Sequence, residues 1–359
     1  MTAKPSGQLI PAGTTRSRRR SVVLIGLIAA ALVSIPAGCF FGPLDIPVGE
    51  VLRALANGLG LYGFEVDPMI RVVVMDIRLS RVCLSFMVGA ALALSGSVFQ
   101  GILQNPLADP FTIGVSTGAA FGASLAIFLG LGAGGGWAGL GLLPLAAMAG
   151  AFAALAAVIA LGRIGGGMRR ESVILAGIIT AAFLSALIGL LKSLDEESLS
   201  SIVFWVMGGF QGRSWPHLLF SLPYFLVGGL LVFLHAKELD ILSLGDSQAR
   251  LLGLEADRTR LVLLLSASLI TGAAVSVSGV IGFVGLAAPH LVRMTLGSEH
   301  GPLLAFSCLV GGTALLWSDA AARTILPHGE ELPVGVITAL AGGPFFCLLL
   351  KTGLVRTRE

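Results

Sequence analysis

Ser116 is the residue whose neighbours best suit it to act as a nucleophile. It stands in Gly114-Val115-Ser116-Thr117-Gly118, a match to the sharp elbow that presents a catalytic serine, and His290 could serve as a base. Hydrolysis by an intramembrane serine enzyme is the chemistry that would follow. The glycines argue for something else. Gly114, Gly118 and Gly122 recur every four residues, which puts them on one helix face as a close-packing stripe, so packing is the expected role and Ser116 should be dispensable. A second motif, Gly58-Leu59-Gly60-Leu61-Tyr62-Gly63, fits the dinucleotide fingerprint, but that fingerprint needs a strand before it and a helix opening on it. A polar amphipathic stretch precedes it and Phe64-Glu65-Val66-Asp67-Pro68 follows, so it reads as a periplasmic loop. Cys39, Cys83, Cys308 and Cys347 lie in or beside apolar runs, and their spacing suits neither a metal site nor a disulfide framework. No catalytic residue, cofactor or metal is expected on this chain.

The elements that must hold these residues are apolar runs. Apolar types make up 55% of the 359 residues, charged types 12%, and mean hydropathy is +0.92. About 20 apolar residues cross a bilayer as a helix, and a helix satisfies its own backbone in lipid. The pattern predicts an all-α polytopic membrane protein with about ten spans. They are placed at Val22–Phe41, Val82–Leu103, Thr112–Leu131, Leu143–Leu161, Val173–Leu191, Leu218–His235, Leu261–Val280, Ile281–Leu296, Leu303–Trp317 and Val334–Leu350. Gly279, Gly282 and Gly285 interrupt one continuous run between the seventh and eighth. The organisation expected is a tail over 1–21, one transmembrane domain over 22–350 with a cytoplasmic insert at 236–260, and a second tail over 351–359.

Basic residues set the direction. Lys4, Arg16, Arg18, Arg19 and Arg20 precede the first span, which predicts cytoplasmic N- and C-termini in an inner (plasma) membrane. The net charge of +3 then reflects topology and gives no reason to expect a nucleic-acid partner. Arg18–Arg20, an apolar run and Ala37-Gly38-Cys39 also resemble a cleaved leader, but Pro36 suits a lipoprotein site poorly, and a retained first span is expected. Within the sequence no Gly-x-x-x-x-Gly-Lys-Ser/Thr loop occurs, so the chain should not hydrolyse ATP by itself. No ionisable side chain lies near the middle of a span, where ion-coupled carriers place one.

Three stretches are more specific. The first runs Arg78-Leu79-Ser80-Arg81, Gly89 to Gly96, Gln100, Asn105-Pro106-Leu107-Ala108-Asp109-Pro110 and Gly114 to Ala119. The second is Leu244-Gly245-Asp246 with Ala249, Leu252 and Gly253. The third holds Ser278-Gly279, Gly282 to Leu286, Pro289-His290, Arg293, Asp319, Arg323, Leu332-Pro333-Val334-Gly335 and Gly343-Pro344-Phe345-Phe346. Together they resemble the FecCD-type permease subunits of ABC importers for iron–siderophore complexes, haem and cobalamin. The family usually has proline where Ser80 stands. The resemblance implies a type II ABC importer permease fold, a dimer with a second permease copy, and two cytoplasmic ATPase subunits that bind ATP–Mg. It also implies a periplasmic substrate-binding protein and a cargo path along the dimer axis.

The resemblance gives roles to particular residues. Arg78, Arg81 and Arg323 would dock the binding protein, with a helix-anchoring role as the alternative and Asp76 as another partner for Arg78. Leu244, Gly245, Asp246, Ala249, Arg250, Leu252 and Gly253 would form one or two short amphipathic helices that couple to the ATPase. Asn105, Pro106, Asp109 and Pro110 would make a rigid turn, capped locally or touching a partner. Pro289 and His290 lie near a span end, where His290 is expected to hydrogen-bond locally, with a ligand or proton-relay role as the alternative. An ion-coupled secondary transporter remains the competing function.

Overall fold

The computed structural model describes residues 12–61, 63–131, 140–164 and 168–351; Tyr62, the distal parts of both tails and parts of the loops after the third and fourth spans lie outside these. Helices run in the order α1 (Ala12–Gly38), α2 (Val48–Gly58), α3 (Pro68–Val72), a π-helical turn (Val73–Leu79), α4 (Ser80–Leu103), α5 (Val115–Phe128), α6 (Leu143–Gly162), α7 (Arg170–Leu194), α8 (Glu196–Met207), α9 (Trp215–Leu234), α10 (Ala236–Leu242), α11 (Asp246–Leu251), α12 (Ala256–Ser278), α13 (Val284–Leu296), α14 (His300–Ala322) and α15 (Val334–Lys351). No strand occurs among the described residues. The fold is all-α and polytopic. Ten of these helices, α1, α4 to α7, α9 and α12 to α15, fall on the ten predicted spans.

Among the described residues, seven helices are long and apolar enough to cross a bilayer alone; α5, α13 and α15 are shorter. With 14 residues, α5 reaches roughly 21 Å at 1.5 Å per residue, short of a hydrocarbon core of about 30 Å. Irregular chain precedes it, with Ala108, Asp109 and Ile113 buried, and such chain is tolerated at depth only inside protein. The break before α13 is buried at Gly279 and Ile281 and half-buried at Val280, Gly282 and Phe283. Gly279 and Phe283 both adopt φ 67°, and the Gly209 N–H donates to Ser278 O at 2.7 Å. The predicted split at 280/281 falls within this break. The second span extends further outward than its apolar run: α3, the π turn and α4 form 36 continuous residues. Trp215 Nε1 donates to Met75 O in the π turn at 3.1 Å.

The interior is built on α4, whose most apolar window is 89% buried, whereas that of α1 is 17% buried and faces outward. Glycines let the backbones meet. A Cβ on Gly89 would lie 2.3 Å from Gly311 O, and one on Gly96 would lie 2.0 Å from Gly285 O. These contacts seat α14 and α13 directly on α4. Gly118 and Gly122 of α5 meet Gly150 and Ala146 of α6 in the same way. Gly114 departs from the expected stripe. It sits before α5 as its N-cap at φ 82° and packs towards Gly177 of α7, because a left-handed residue ends the helix there and glycine adopts that conformation without cost.

Candidate functional site

Ser116 lacks the hydrogen bond that would activate it as a nucleophile. It is fully buried, its Oγ has no hydrogen-bond partner, and neither ring nitrogen of His290 has one. A nucleophile activated by a base requires that bond, so the serine-hydrolase alternative finds no support. His290 also departs from its expected local hydrogen bond. Its ring lies against Phe346, 6.1 Å between centroids, because α13 turns this face towards α15.

At one end of the bundle, α4 and α14 carry an ion cluster. Arg81 donates from Nε to both carboxylate oxygens of Asp319 at 3.1 Å and from Nη2 to Oδ1 at 2.8 Å. Its Nη1 donates to Glu331 Oε2 at 2.8 Å. Arg323, one turn beyond Asp319, approaches Oδ2 at 3.2 Å and donates to Phe41 O at 3.1 Å. Arg78 is occupied by carbonyls. It donates to Cys39 O at 3.0 Å and also to Phe40 O and Leu44 O, so it ties the end of α1 to the π turn and leaves Asp76 exposed. All three arginines are buried. The structure thus brings Arg81 and Arg323 together on one carboxylate and keeps Arg78 apart from it. Within the cluster, the buried Arg323 Nη2 has no hydrogen-bond partner.

At the opposite end the insert forms two short helices, α10 and α11. The predicted coupling residues divide by exposure. Ala249 is buried, and Asp246 accepts from the buried Arg260 Nη2 at 2.5 Å; Arg260 also donates to Met168 O. These contacts hold the insert on α12. Leu244, Arg250, Leu252 and Gly253 are exposed. Gly253 has φ 82° and open space within the chain where a Cβ would stand, so it serves turn geometry here. Sequence reasoning passed over Leu251, which is 87% exposed. It also passed over α8, which packs against α5 and α7.

The 105–110 turn caps itself. Asn105 Oδ1 accepts from the Leu107 N–H at 2.9 Å, and Asp109 Oδ1 accepts from the N–H groups of Phe111 and Thr112 at 3.1 and 2.9 Å. Burial pushes the Asp109 carboxyl up to about 6, against the pull of those backbone donors. Next to this turn, Arg293 Nη1 donates to Gln100 Oε1 at 2.9 Å, and Gln104 Nε2 donates to Leu242 O at 2.7 Å.

The chain is thus a polytopic helical bundle with an ion cluster at one end and a polar two-helix insert at the other. Over residues 24–352 the chain matches the FecCD transport family, and it belongs to that family. It is 40% identical to the cobalamin import system permease protein BtuC of Halobacterium salinarum, over 82% of this chain and 77% of that one. It is 39% identical to the molybdate import system permease protein MolB of Haemophilus influenzae, over 90% and 92%. Among solved structures it superposes on a metal-chelate type ABC transporter in an inward-facing conformation with a TM-score of 0.79 at 35% identity, over 92% of this chain and 99% of that one. The chain is a multi-pass permease of the ABC transporter class.

Proposed function

We propose that this chain is the membrane-spanning subunit of an ATP-driven importer for a metal chelate or metal-tetrapyrrole, in the class of iron–siderophore, haem and cobalamin. It works in the inner membrane as a homodimer with both termini cytoplasmic. Two ATPase subunits hold ATP–Mg below it and a periplasmic binding protein delivers cargo above. The chain itself binds no cofactor and makes no covalent bond. ATPase closure moves the α10–α11 insert, and the bundle opens alternately to the two sides. Arg81 and Arg323 meet acidic residues of the binding protein, for which the internal carboxylates stand in; Arg78 braces the same face.

The observation that carries this reading is the insert. Leu244, Leu251 and Leu252 project from it at 54, 87 and 62% exposure, on and beside α11, which Arg260 holds from behind through Asp246. Exposed apolar groups with a polar surround mark a protein-binding surface. Leu251→Glu should cost the fold little and remove a central apolar contact. Loss of an interface anchor costs about 2 kcal/mol or more, and about 1.4 kcal/mol is tenfold in affinity. The dissociation constant of the cognate ATPase for the detergent-purified permease should therefore rise more than about tenfold. Unchanged affinity in both Leu251→Glu and Leu252→Glu would remove the insert as the ATPase site.

A further inference from the structure

The exposed side of the insert faces the proposed ATPase; its inner side is fastened to α14 as well as to α12. Asp240 of α10 reaches the first residue of α14. Its Oδ1 accepts the His300 backbone N–H at 2.9 Å and lies 2.7 Å from His300 Nδ1. A helix begins with N–H groups that have no partner in the helix, and a carboxylate there is favoured by the helix dipole as well. Here the cap comes from another element, 60 residues away in sequence. His300 is buried, and its ring is held in a notch. A Cβ on Gly101 would stand 2.8 Å from His300 Nε2 and 2.8 Å from Leu239 Cδ1. The lack of a side chain at Gly101 therefore lets α4, α10 and α14 meet at one point. The Gln104-to-Leu242 bond adds a second tie from α4 to the end of α10.

From that point α14 runs 23 residues, roughly 34 Å at 1.5 Å per residue, and ends at Asp319 and the outer arginine cluster. It does not run alone. Gly89 meets Gly311 and Gly312 meets Phe86 at distances that admit no Cβ, so α4 and α14 touch backbone to backbone. Arg81 of α4 then holds Asp319 of α14 at the far end. The two helices are joined at both ends and along their length, which makes them a single strut between the two faces of the membrane.

We infer that Asp240 and His300 are positioning residues that transmit movement of the insert into the α4–α14 strut, and so link the ATPase face to the binding-protein face. This rests on the insert being the ATPase site. Coupling between two sites is reciprocal for binding. A working link makes ATP at the inner face change the affinity of the binding protein at the outer face by the same factor as the reverse.

The test measures the dissociation constant of the cognate binding protein for the assembled permease–ATPase complex in lipid nanodiscs, with and without ATP. In Asp240→Ala the ratio of the two constants, on the order of 5–150-fold for allosteric pairs, should fall to about unity, while ATPase binding keeps its unaltered affinity. Asp240→Asn keeps an acceptor oxygen for the α14 cap and should retain most of the ratio. His300→Gln keeps the backbone cap but loses the ring contact and should give an intermediate value. A residue that merely stabilised the fold would lower yield and thermal midpoint without altering the ratio. A normal ratio in Asp240→Ala would overturn the inference, and if that variant does not assemble, a normal ratio in His300→Gln would do so. Leu251→Glu and Leu252→Glu serve as the separating controls: an ATPase affinity untouched by both sinks the insert reading, whereas a lost affinity in either with a normal ratio in Asp240→Ala sinks only the link.

Discussion

Replacing Asp319 with alanine should lower the thermal midpoint of the detergent-purified protein more than any single change at the surface. Asp319 is fully buried and answers two guanidinium groups, Arg81 through three hydrogen-bond contacts and Arg323 through an ion pair. Arginine does not deprotonate to escape burial. Removing one partner of a buried pair leaves uncompensated charge and costs on the order of 3–5 kcal/mol. Glu331 would still hold Arg81, but Arg323 would retain only carbonyls and already has one unpartnered nitrogen. The double change Arg81→Met with Asp319→Leu should recover part of the loss, since exchanging a buried pair for apolar groups is near neutral. A thermal midpoint in Asp319→Ala equal to that of the parent protein would show that the cluster does not hold the outer ends of α4 and α14.

Gly150→Leu should be at least as damaging, by a different route. A Cβ at Gly150 would lie 2.2 Å from Gly118 O and 3.0 Å from Gly122 Cα. The atoms in the way are backbone, so no rotamer change makes room and α5 must leave α6. Overpacking typically costs about 1–3 kcal/mol, and a clash with main chain belongs at or above the upper end. Gly189→Ala in α7 is the matched control. Nothing lies within 4 Å of its Cβ position, and relief of unfolded-chain entropy there should stabilise by about 0.4–1 kcal/mol. Equal behaviour of the two variants in size-exclusion chromatography after heating would refute the close-packing role of the stripe.

These two effects differ in how far the sequence revealed them. The spans were legible because each is a run of apolar residues near the length a bilayer demands, and Gly118 and Gly122 announced a packing face through their four-residue spacing. Gly114 misled because spacing does not register a left-handed residue that ends the helix. The shortness of α5 and the break at 279–283 were blurred because apolar composition continues through irregular chain that is buried in protein. The arginines were found by motif, yet their internal partners were not. Asp319 is 238 residues from Arg81 and Glu331 is 250 away, and no local pattern reports such pairs. Asp240 and His300 were silent for the same reason. Leu251 escaped notice because an exposed leucine looks the same in sequence as a buried one.

We propose that this permease moves cargo with energy supplied by a partner that hydrolyses ATP. Uptake into proteoliposomes tests it most directly, with the cargo that the cognate binding protein retains. Vesicles holding the permease and its ATPase, given the loaded binding protein and ATP, should accumulate that cargo, and a protonophore should not stop them. Vesicles holding this chain alone should accumulate none under an imposed proton or sodium gradient. Gradient-driven uptake by the chain alone would contradict the account and make it an ion-coupled transporter.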